Sequence, residues 1–227
     1  MKHRFNFRHA RILSAAVFSG VIIFSFFTSI DAAAAGSDWR PLFDGRSTAG
    51  WKHVGSGEMK LVNKELVTQG GMGVFWYTRE KFSNCQIRVV FKLTGSNDNS
   101  GVFIRIPEPP RDEWDAVNKG YEVKIDNNGS LWHRTGTLYS LTKAQNKVFA
   151  NVGEWNDMLI TLFGPRTRVS VNGVPVTDYT EGDPMPMKYQ WYEPDRGPRP
   201  VAGYIGLENH RDNLQVHFKL VAVRPLQ

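Results

Sequence analysis

Cysteine is nearly absent from this chain. It holds one cysteine, Cys85, among 227 residues. A single thiol excludes an internal disulfide and a metal cluster built from thiolates. The folded chain must therefore be stabilised by its core. Cys85 stands at the start of an alternating apolar run, which predicts a buried, inert side chain rather than a nucleophile.

Motifs for nucleotide binding and serine-based catalysis are missing as well. The sequence contains no G-x-G-x-x-G, no P-loop and no G-x-S-x-G elbow, so the usual sites for those chemistries are lacking. Glu208 and His210 are two residues apart and could begin a metal site, but no third ligand stands at a diagnostic spacing. We therefore expect no metal and no cofactor.

Excess positive charge is concentrated in the first 35 residues. The whole chain has a formal charge of +6. The first 35 residues contribute four basic residues and one acidic residue, so the remainder has a formal charge of +3. No dense Lys/Arg run remains there, and a nucleic-acid partner is not expected.

The first segment has the pattern of a bacterial signal peptide. A basic start precedes an uncharged run, Ile12 to Ile30, and small residues follow at Ala33 and Ala35. This order predicts a signal peptide over residues 1–35, cleaved after Ala35. The mature chain, 36–227, is then a single secreted or periplasmic domain without stable membrane association. An uncleaved anchor is the alternative, since about 20 apolar residues span a bilayer.

Regular helical periodicity is hard to find in the rest of the chain. Short alternating runs lie between Gly-, Asn- and Pro-containing turn signals, which is typical of an all-β sandwich or barrel. Asn172-Gly173 between β-branched runs predicts a two-residue type I′ hairpin. Residues 108–120 and 181–200 lack strand periodicity and are predicted to be long loops. Trp191 in the second loop either packs at the edge of the core or stacks on a ligand.

The run GYEVKIDNNG, residues 120–129, places three charged side chains on one face of a strand. They are Glu122, Lys124 and Asp126, alternating with apolar residues. Four strand residues span about 13 Å, too far for the carboxyl pair of an ordinary glycosidase, which is about 5–9.5 Å apart. This face is therefore either a solvated sheet surface with cross-strand ion pairs or the floor of a binding groove.

Basic and imidazole groups surround this strand in the sequence. His133 and Arg134 follow the turn after Asp126 and are expected near the charged strand. Arg105 interrupts an apolar alternating run, which predicts a groove-facing guanidinium able to bind carboxylates or hydroxyls. Glu208 and His210 share one face if their strand persists.

Six segments, taken in order, resemble one family. They are PLFDGRSTAGW, NSGVFIR, GYEVKIDNNG, RTGTLY, EWNDMLITLFGPRTRVSVNGVPVTDY and GYIGLENH…VHFKLVAVRPL. Together they are similar to the 3-keto-disaccharide hydrolase domain over residues 38–226. The resemblance implies a concanavalin A-like jelly-roll β-sandwich of two antiparallel sheets. It also implies Gln as the common residue at the positions of Lys124 and Glu208.

The resemblance further implies a chemistry, and we use it to assign roles to the residues singled out above. A sugar oxidised to a ketone at C3 has an acidic C2 proton, and base-assisted elimination followed by hydration cleaves the glycosidic bond. Among the residues already singled out, either Glu122 or His133 is the expected general base, and Glu208 is a further expected catalytic group. The expected substrate-binding groups are Arg105, Lys124, Asp126, Arg134, Trp191 and His210. The partner is then an oligosaccharide or glycoside substrate. The alternative is a non-catalytic, lectin-like carbohydrate-binding module on the same fold, and the oligomeric state is left open.

Overall fold

The alternating segments form two antiparallel sheets that pack face to face in this computed structural model, which describes residues 38–211 and 214–227. The predicted signal peptide lies outside the described residues. Within the described part, the one α-helix is far too short to cross a membrane. The predicted jelly-roll sandwich is confirmed.

The larger sheet has eight strands. Seven of them follow the order β11-β10-β9-β6-β13-β4-β3, and the eighth, β1, also pairs with β13. Its strands are β1 (Arg40–Phe43), β3 (Glu58–Val62), β4 (Glu65–Gln69), β6 (Cys85–Leu93), β9 (Asn156–Phe163), β10 (Arg166–Val171), β11 (Val174–Thr180) and β13 (Val216–Pro225). The smaller sheet has the order β2-β5-β12-β7-β8. Its strands are β2 (Trp51–Gly55), β5 (Gly73–Tyr77), β7 (Asn99–Ile106), β8 (Tyr121–Asp126) and β12 (Tyr204–Asn209).

The main core fills the space between the two sheets. From β8, Tyr121, Val123 and Ile125 enter this core and are at most 1 % exposed. Their alternation with Glu122 and Lys124 follows the period-two pattern of the sequence. The charged residues of β8 therefore lie on the opposite face of the five-stranded sheet, which is called the outer face below.

The hairpin predicted at Asn172-Gly173 is confirmed. It joins β10 to β11, and its two central residues have φ angles of 50° and 80°. A type I′ turn requires positive φ at both positions, where Asn and Gly are tolerated best.

A helix occupies part of the segment 108–120, which the sequence analysis predicted to be a continuous loop. This prediction is wrong for α1 (Glu113–Lys119), whose N-terminus is capped by Asp112 accepting from the N–H of Asp115 at 2.9 Å. The helix is too short to show a clear apolar periodicity. It buries Ala116 and Val117 on the outer face of the five-stranded sheet, in a second apolar cluster.

The predicted groove-facing orientation of Arg105 is also wrong. A positive φ of 57° at Arg105 coincides with a register shift between β7 and β12, so the strand carries a β-bulge there. The bulge sends the side chain toward the other sheet, where its guanidinium donates to the carbonyl of Gly164 in the β9–β10 turn at 2.8 Å. It also donates to the carbonyl of Pro200, in the loop before β12, at 3.0 Å. Arg105 is only 2 % exposed and ties the two sheets together.

Gly203 makes room for this bulge, and its replacement should destabilise the fold. Its N–H and C=O pair with Phe82 at 3.0 and 2.8 Å, and an added Cβ would overlap the backbone of Arg105. We expect Gly203→Ala to lower the free energy of unfolding by about 1–3 kcal/mol, measured by urea denaturation. Val201→Ala, at a nearby exposed position, is the control. An unchanged midpoint for Gly203→Ala would contradict this packing.

Candidate functional site

Away from α1, the outer face carries charged side chains from β8 and β12, the two strands on either side of β7. Lys124 of β8 lies opposite Gly101 of β7, and Glu208 of β12 lies on the far side of Gly101. The sheet register therefore brings Glu208 and Lys124 onto one face, although they are distant in sequence.

Gly101 leaves the space in which the side chains of Glu122 and Glu208 approach each other. A Cβ at Gly101 would lie 2.5 Å from Oε1 and 2.6 Å from Cγ of Glu122. Because glycine has no side chain, the Glu122 carboxyl can lie flat over β7 and approach Glu208. The glycine of the NSG segment, Gly101, thus contributes to the site because its missing side chain makes room for Glu122.

Lys124 binds both carboxyl groups. Its Nζ donates to Oε1 of Glu122 at 2.6 Å and to Oε2 of Glu208 at 3.2 Å. The other oxygen of Glu208 lies 3.1 Å from Nδ1 of His210. We call Glu122, Lys124, Glu208 and His210 the charged cluster. The first three side chains are only 4–5 % exposed, whereas that of His210 is 26 % exposed.

Two carboxyls and one ammonium in a buried place favour a single shared proton. Burial, followed by the negative charge of Glu208, raises the pKa of Glu122 to about 8. Burial also acts to raise the pKa of Glu208, but Lys124 and His210 outweigh it and lower that pKa to about 2. Burial acts against the Lys124 ammonium, yet the two carboxyls hold its pKa above the usual value. At neutral pH the cluster thus contains a protonated Glu122, an ionised Glu208 and a charged Lys124.

An aromatic side chain covers one side of the cluster. The segment after the 126–129 turn runs beside β8, with Gly136 N–H donating to Lys124 O at 2.8 Å and Tyr139 N–H to Glu122 O at 2.9 Å. This places the ring of Tyr139 5.1 Å from the Lys124 ammonium, a cation–π distance. The His133 ring lies 5.1 Å from that of Tyr139, and burial lowers the pKa of His133.

Two other predicted site residues have structural partners away from the cluster. Oδ1 of Asp126 accepts from the backbone N–H groups of Asn128 at 2.7 Å and Gly129 at 3.1 Å, so it shapes the turn. Arg134 donates to Gly129 O at 2.9 Å, and its guanidinium lies 4.8 Å from the ring of Phe149. Their predicted roles in substrate binding receive no geometric support.

Trp191 is on the surface, with 75 % of its area exposed, so packing at the edge of the core does not describe it. Its ring lies 5.2 Å from that of Trp114 at the start of α1. The sequence analysis singled out neither Trp114 nor Tyr139. Both are single aromatic residues outside any strand pattern, and only the folded chain shows that Tyr139 lies beside Lys124 and Trp114 beside Trp191.

The charges at 124 and 208 are coupled. The family resemblance implies Gln at both positions, and this chain has Lys and Glu, which contact each other at 3.2 Å. Two neutral amides are thus replaced by an ion pair of no net charge, which keeps each buried charge compensated. The pair leaves Glu122 as the carboxyl whose charge changes near neutral pH.

Comparison with known proteins assigns the family. Residues 38–224 match the family of 3-keto-alpha-glucoside-1,2-lyase-like domains. The chain belongs to this family. The resemblance inferred from the sequence segments is thereby confirmed, and membership supports a carbohydrate-related hydrolase domain. No curated protein matched the chain.

Solved structures share the fold of this 3-keto-alpha-glucoside-1,2-lyase-like domain. A Parabacteroides distasonis ATCC 8503 protein, described as a "putative glycosyl hydrolase", has a TM-score of 0.68 at 20% identity, covering 83% of this chain and 94% of that one. A Bacillus subtilis protein with a galectin-like fold has a TM-score of 0.54 at 14% identity, covering 82% and 94%. The carbohydrate binding module CBM66 from Bacillus subtilis has a TM-score of 0.52 at 14% identity, covering 77% and 95%.

The raised pKa of Glu122 predicts that the free energy of unfolding depends on pH. The folded chain binds this proton more tightly than the unfolded chain, so the free energy of unfolding falls as pH rises from about 4.5 to about 8. Glu122→Gln cannot ionise and removes this fall. We therefore expect its free energy of unfolding, relative to the natural chain, to increase across that window in urea denaturation series.

Glu65→Gln is the matched control for this prediction. Glu65 on the other sheet also has a histidine and a lysine partner, His217 at 2.6 Å and Lys92 at 3.4 Å. Burial acts to raise its pKa, but these partners lower it below the usual value, so ionised Glu65 stabilises the fold at neutral pH. In the same pH window, Glu65→Gln should lower the free energy of unfolding relative to the natural chain, whereas Glu122→Gln should raise it. The same sign for both variants would contradict the assignment of the proton to Glu122.

Proposed function

We propose that this domain cleaves glycosides whose sugar ring carries a ketone at C3, and that the charged cluster performs the proton transfers. The observation that carries the proposal is a carboxyl group, Glu122, with a pKa raised to about 8, held 2.6 Å from a permanently charged ammonium. A general base works best when its pKa lies near the operating pH.

The first step is removal of the C2 proton. The C3 ketone makes this proton acidic, and ionised Glu122 accepts it while the electron pair moves onto the ketone oxygen. The Lys124 ammonium stabilises the resulting enolate, because it is fixed in place before charge develops. The enolate then re-forms the ketone, creates a C1–C2 double bond and expels the C1 oxygen as the leaving group.

A second proton transfer protonates the oxygen of the leaving group. Glu208 holds Nδ1 of His210, and the residues described around it give Nε2 of His210 no hydrogen-bond partner. We assign to this more exposed histidine the donation of a proton to the departing oxygen. Water afterwards adds across the double bond, with its hydroxyl going to C1 and a proton returning to C2. The sum of the steps is hydrolysis of the glycosidic bond.

The geometry disfavours direct glycosidase chemistry. Glu122 and Glu208 form a carboxyl pair, which the sequence analysis did not foresee because they lie on different strands. A retaining glycosidase keeps the space between its carboxyls for the anomeric carbon. Here Nζ of Lys124 occupies that space and binds both groups, so a sugar C1 has no place between them.

The state of Lys124 also disfavours an imine with the ketone. Imine formation requires a neutral amine, and the raised pKa keeps Lys124 as an ammonium. Borohydride added during turnover should therefore leave no sugar attached to the protein, as judged by intact mass.

A lectin-like function is the second candidate. The exposed ring of Trp191 favours it, because aromatic platforms bind sugars without needing a base. The fold is shared with a carbohydrate binding module. A binder of this kind would bind saccharides with no release of product.

Product release from 3-keto-trehalose and 3-keto-lactose tests the catalytic proposal. We expect free sugar to appear with the natural chain and with Glu65→Gln, whose substitution lies on the other sheet. We expect Glu122→Gln to lower kcat/KM by about 10²–10⁴-fold, the range for loss of a general base. Release at an unchanged rate from Glu122→Gln would remove Glu122 from the reaction. Binding without release would leave the lectin-like function.

The pH profile gives a second prediction that involves Glu208. Activity of the natural chain should rise with pH through about 8, because Glu122 must be ionised to act as the base. In Glu208→Gln the neighbouring negative charge is gone, so the pKa of Glu122 falls. We expect a lower kcat, because His210 loses its partner, and a kcat/KM midpoint shifted to lower pH. An unshifted midpoint would contradict the coupling between the two carboxyls.

A further inference from the structure

The loop 181–200 presents aromatic rings to solvent beside the outer face. Trp191 and Tyr192 are 75 % and 43 % exposed, and their ring centroids are 5.7 Å apart. Trp191 also contacts Trp114 at 5.2 Å, so the three rings form one surface. We call Trp114, Trp191 and Tyr192 the aromatic platform. Exposed apolar residues that form a contiguous patch, unlike ones scattered singly, mark interaction sites.

The loop is held in shape by the half-buried guanidinium of Arg196. Arg196 donates to the carbonyls of Pro194 at 2.6 Å and Pro186 at 2.8 Å, and to Oε2 of Glu193 at 3.0 Å. These bonds close the segment on both sides of Trp191 and Tyr192. A preorganised platform loses little conformational entropy when a ligand binds.

The same guanidinium joins the platform to the charged cluster. Arg196 also donates to Oγ of Ser140 at 3.2 Å. Ser140 has a positive φ of 59°, and the preceding residue is Tyr139, whose ring faces Lys124. Tyr192 lies close enough to Tyr139 that its phenol contributes to the raised pKa of Tyr139, after burial and Glu122. The platform and the cluster are therefore neighbouring parts of one surface.

We propose that the aromatic platform is a subsite for a second sugar ring, the one released when the C1–O bond breaks. This inference rests on the proposed function and assigns the leaving sugar of a disaccharide substrate to the three rings of the platform. The C–H face of a pyranose is apolar and stacks on aromatic rings, whereas a methyl aglycone has no such face. Arg196 is a positioning residue that keeps the platform in place.

Binding of unoxidised sugars tests the subsite without any reaction. Trehalose, lactose, cellobiose and glucose are titrated by calorimetry into the natural chain, Trp191→Ala and Phe163→Ala. Phe163 is an exposed aromatic residue on the other sheet and serves as the control. We expect at least one disaccharide to bind more tightly than glucose, with affinity reduced about tenfold or more in Trp191→Ala only. No disaccharide binding, or equal binding by Trp191→Ala, would overturn the subsite.

Kinetics separate failure of the subsite from failure of the proposed function. The two substrates are 3-keto-lactose and methyl 3-keto-glucoside. Trp191→Ala should raise KM for the disaccharide and leave KM for the methyl glycoside unchanged. Turnover that is insensitive to Trp191→Ala would reject the subsite and keep the function. Disaccharide binding through Trp191 without turnover would keep the subsite and reject the function.

Variants of Arg196 test its positioning role. Arg196→Met should reproduce the higher KM of Trp191→Ala for the disaccharide with a smaller change in kcat, and Arg196→Lys should recover part of the affinity. Light scattering provides the remaining check. A natural chain that self-associates, with dissociation in Trp191→Ala and no change in sugar binding, would show that the platform is an interface and overturn the proposal.

Discussion

The site depends on the ammonium of Lys124, which lies between two buried carboxyls. A buried charge costs several kcal/mol unless partners compensate it, and here one positive group faces two acids. The excess acid is accommodated by one proton, held on Glu122. This single arrangement sets the protonation states of all three groups. It also places a charged donor next to the group that changes its charge near neutral pH.

The rest of the fold supports this arrangement. The five-stranded sheet brings β8 and β12 onto either side of β7, and Gly101 of β7 leaves the space in which Glu122 lies. The segment along β8 adds the ring of Tyr139, and burial of the three side chains strengthens their mutual electrostatics. On the opposite face, Tyr121, Val123 and Ile125 fix β8 in the core. One strand thus anchors the sandwich and carries Glu122 and Lys124 of the charged cluster.

Local sequence patterns predicted those features that depend on local geometry. Alternation in β8 separated Glu122 and Lys124 from the core residues, and Asn172-Gly173 identified its hairpin, because both follow from backbone period and turn conformation. The bulge at Arg105 reversed the expected direction of that side chain. A bulge inserts one residue into the register, and the run of apolar residues around Arg105 gives no sign of it.

Features that depend on the pairing of distant strands could not be predicted. The contact between Glu122 and Glu208 requires the order β12-β7-β8, which no short segment encodes. The spacing of Glu122 and Asp126 correctly argued against a glycosidase pair within one strand, but the carboxyl partner of Glu122 came from β12. The aromatic platform likewise joins a loop residue to the start of α1, a helix whose seven residues are too few to show a period.

Hydrogen exchange at C2 of the substrate tests the central claim most directly. The natural chain cleaves 3-keto-lactose in D₂O, and the released 3-keto-sugar is analysed by mass spectrometry and NMR, with an enzyme-free incubation as the reference. Glu122 takes the C2 proton, and this proton exchanges with D₂O after the leaving sugar has departed and before C2 is reprotonated, so the account predicts one deuterium at C2 of each product molecule. Cleavage that leaves the original proton at C2 would contradict the account.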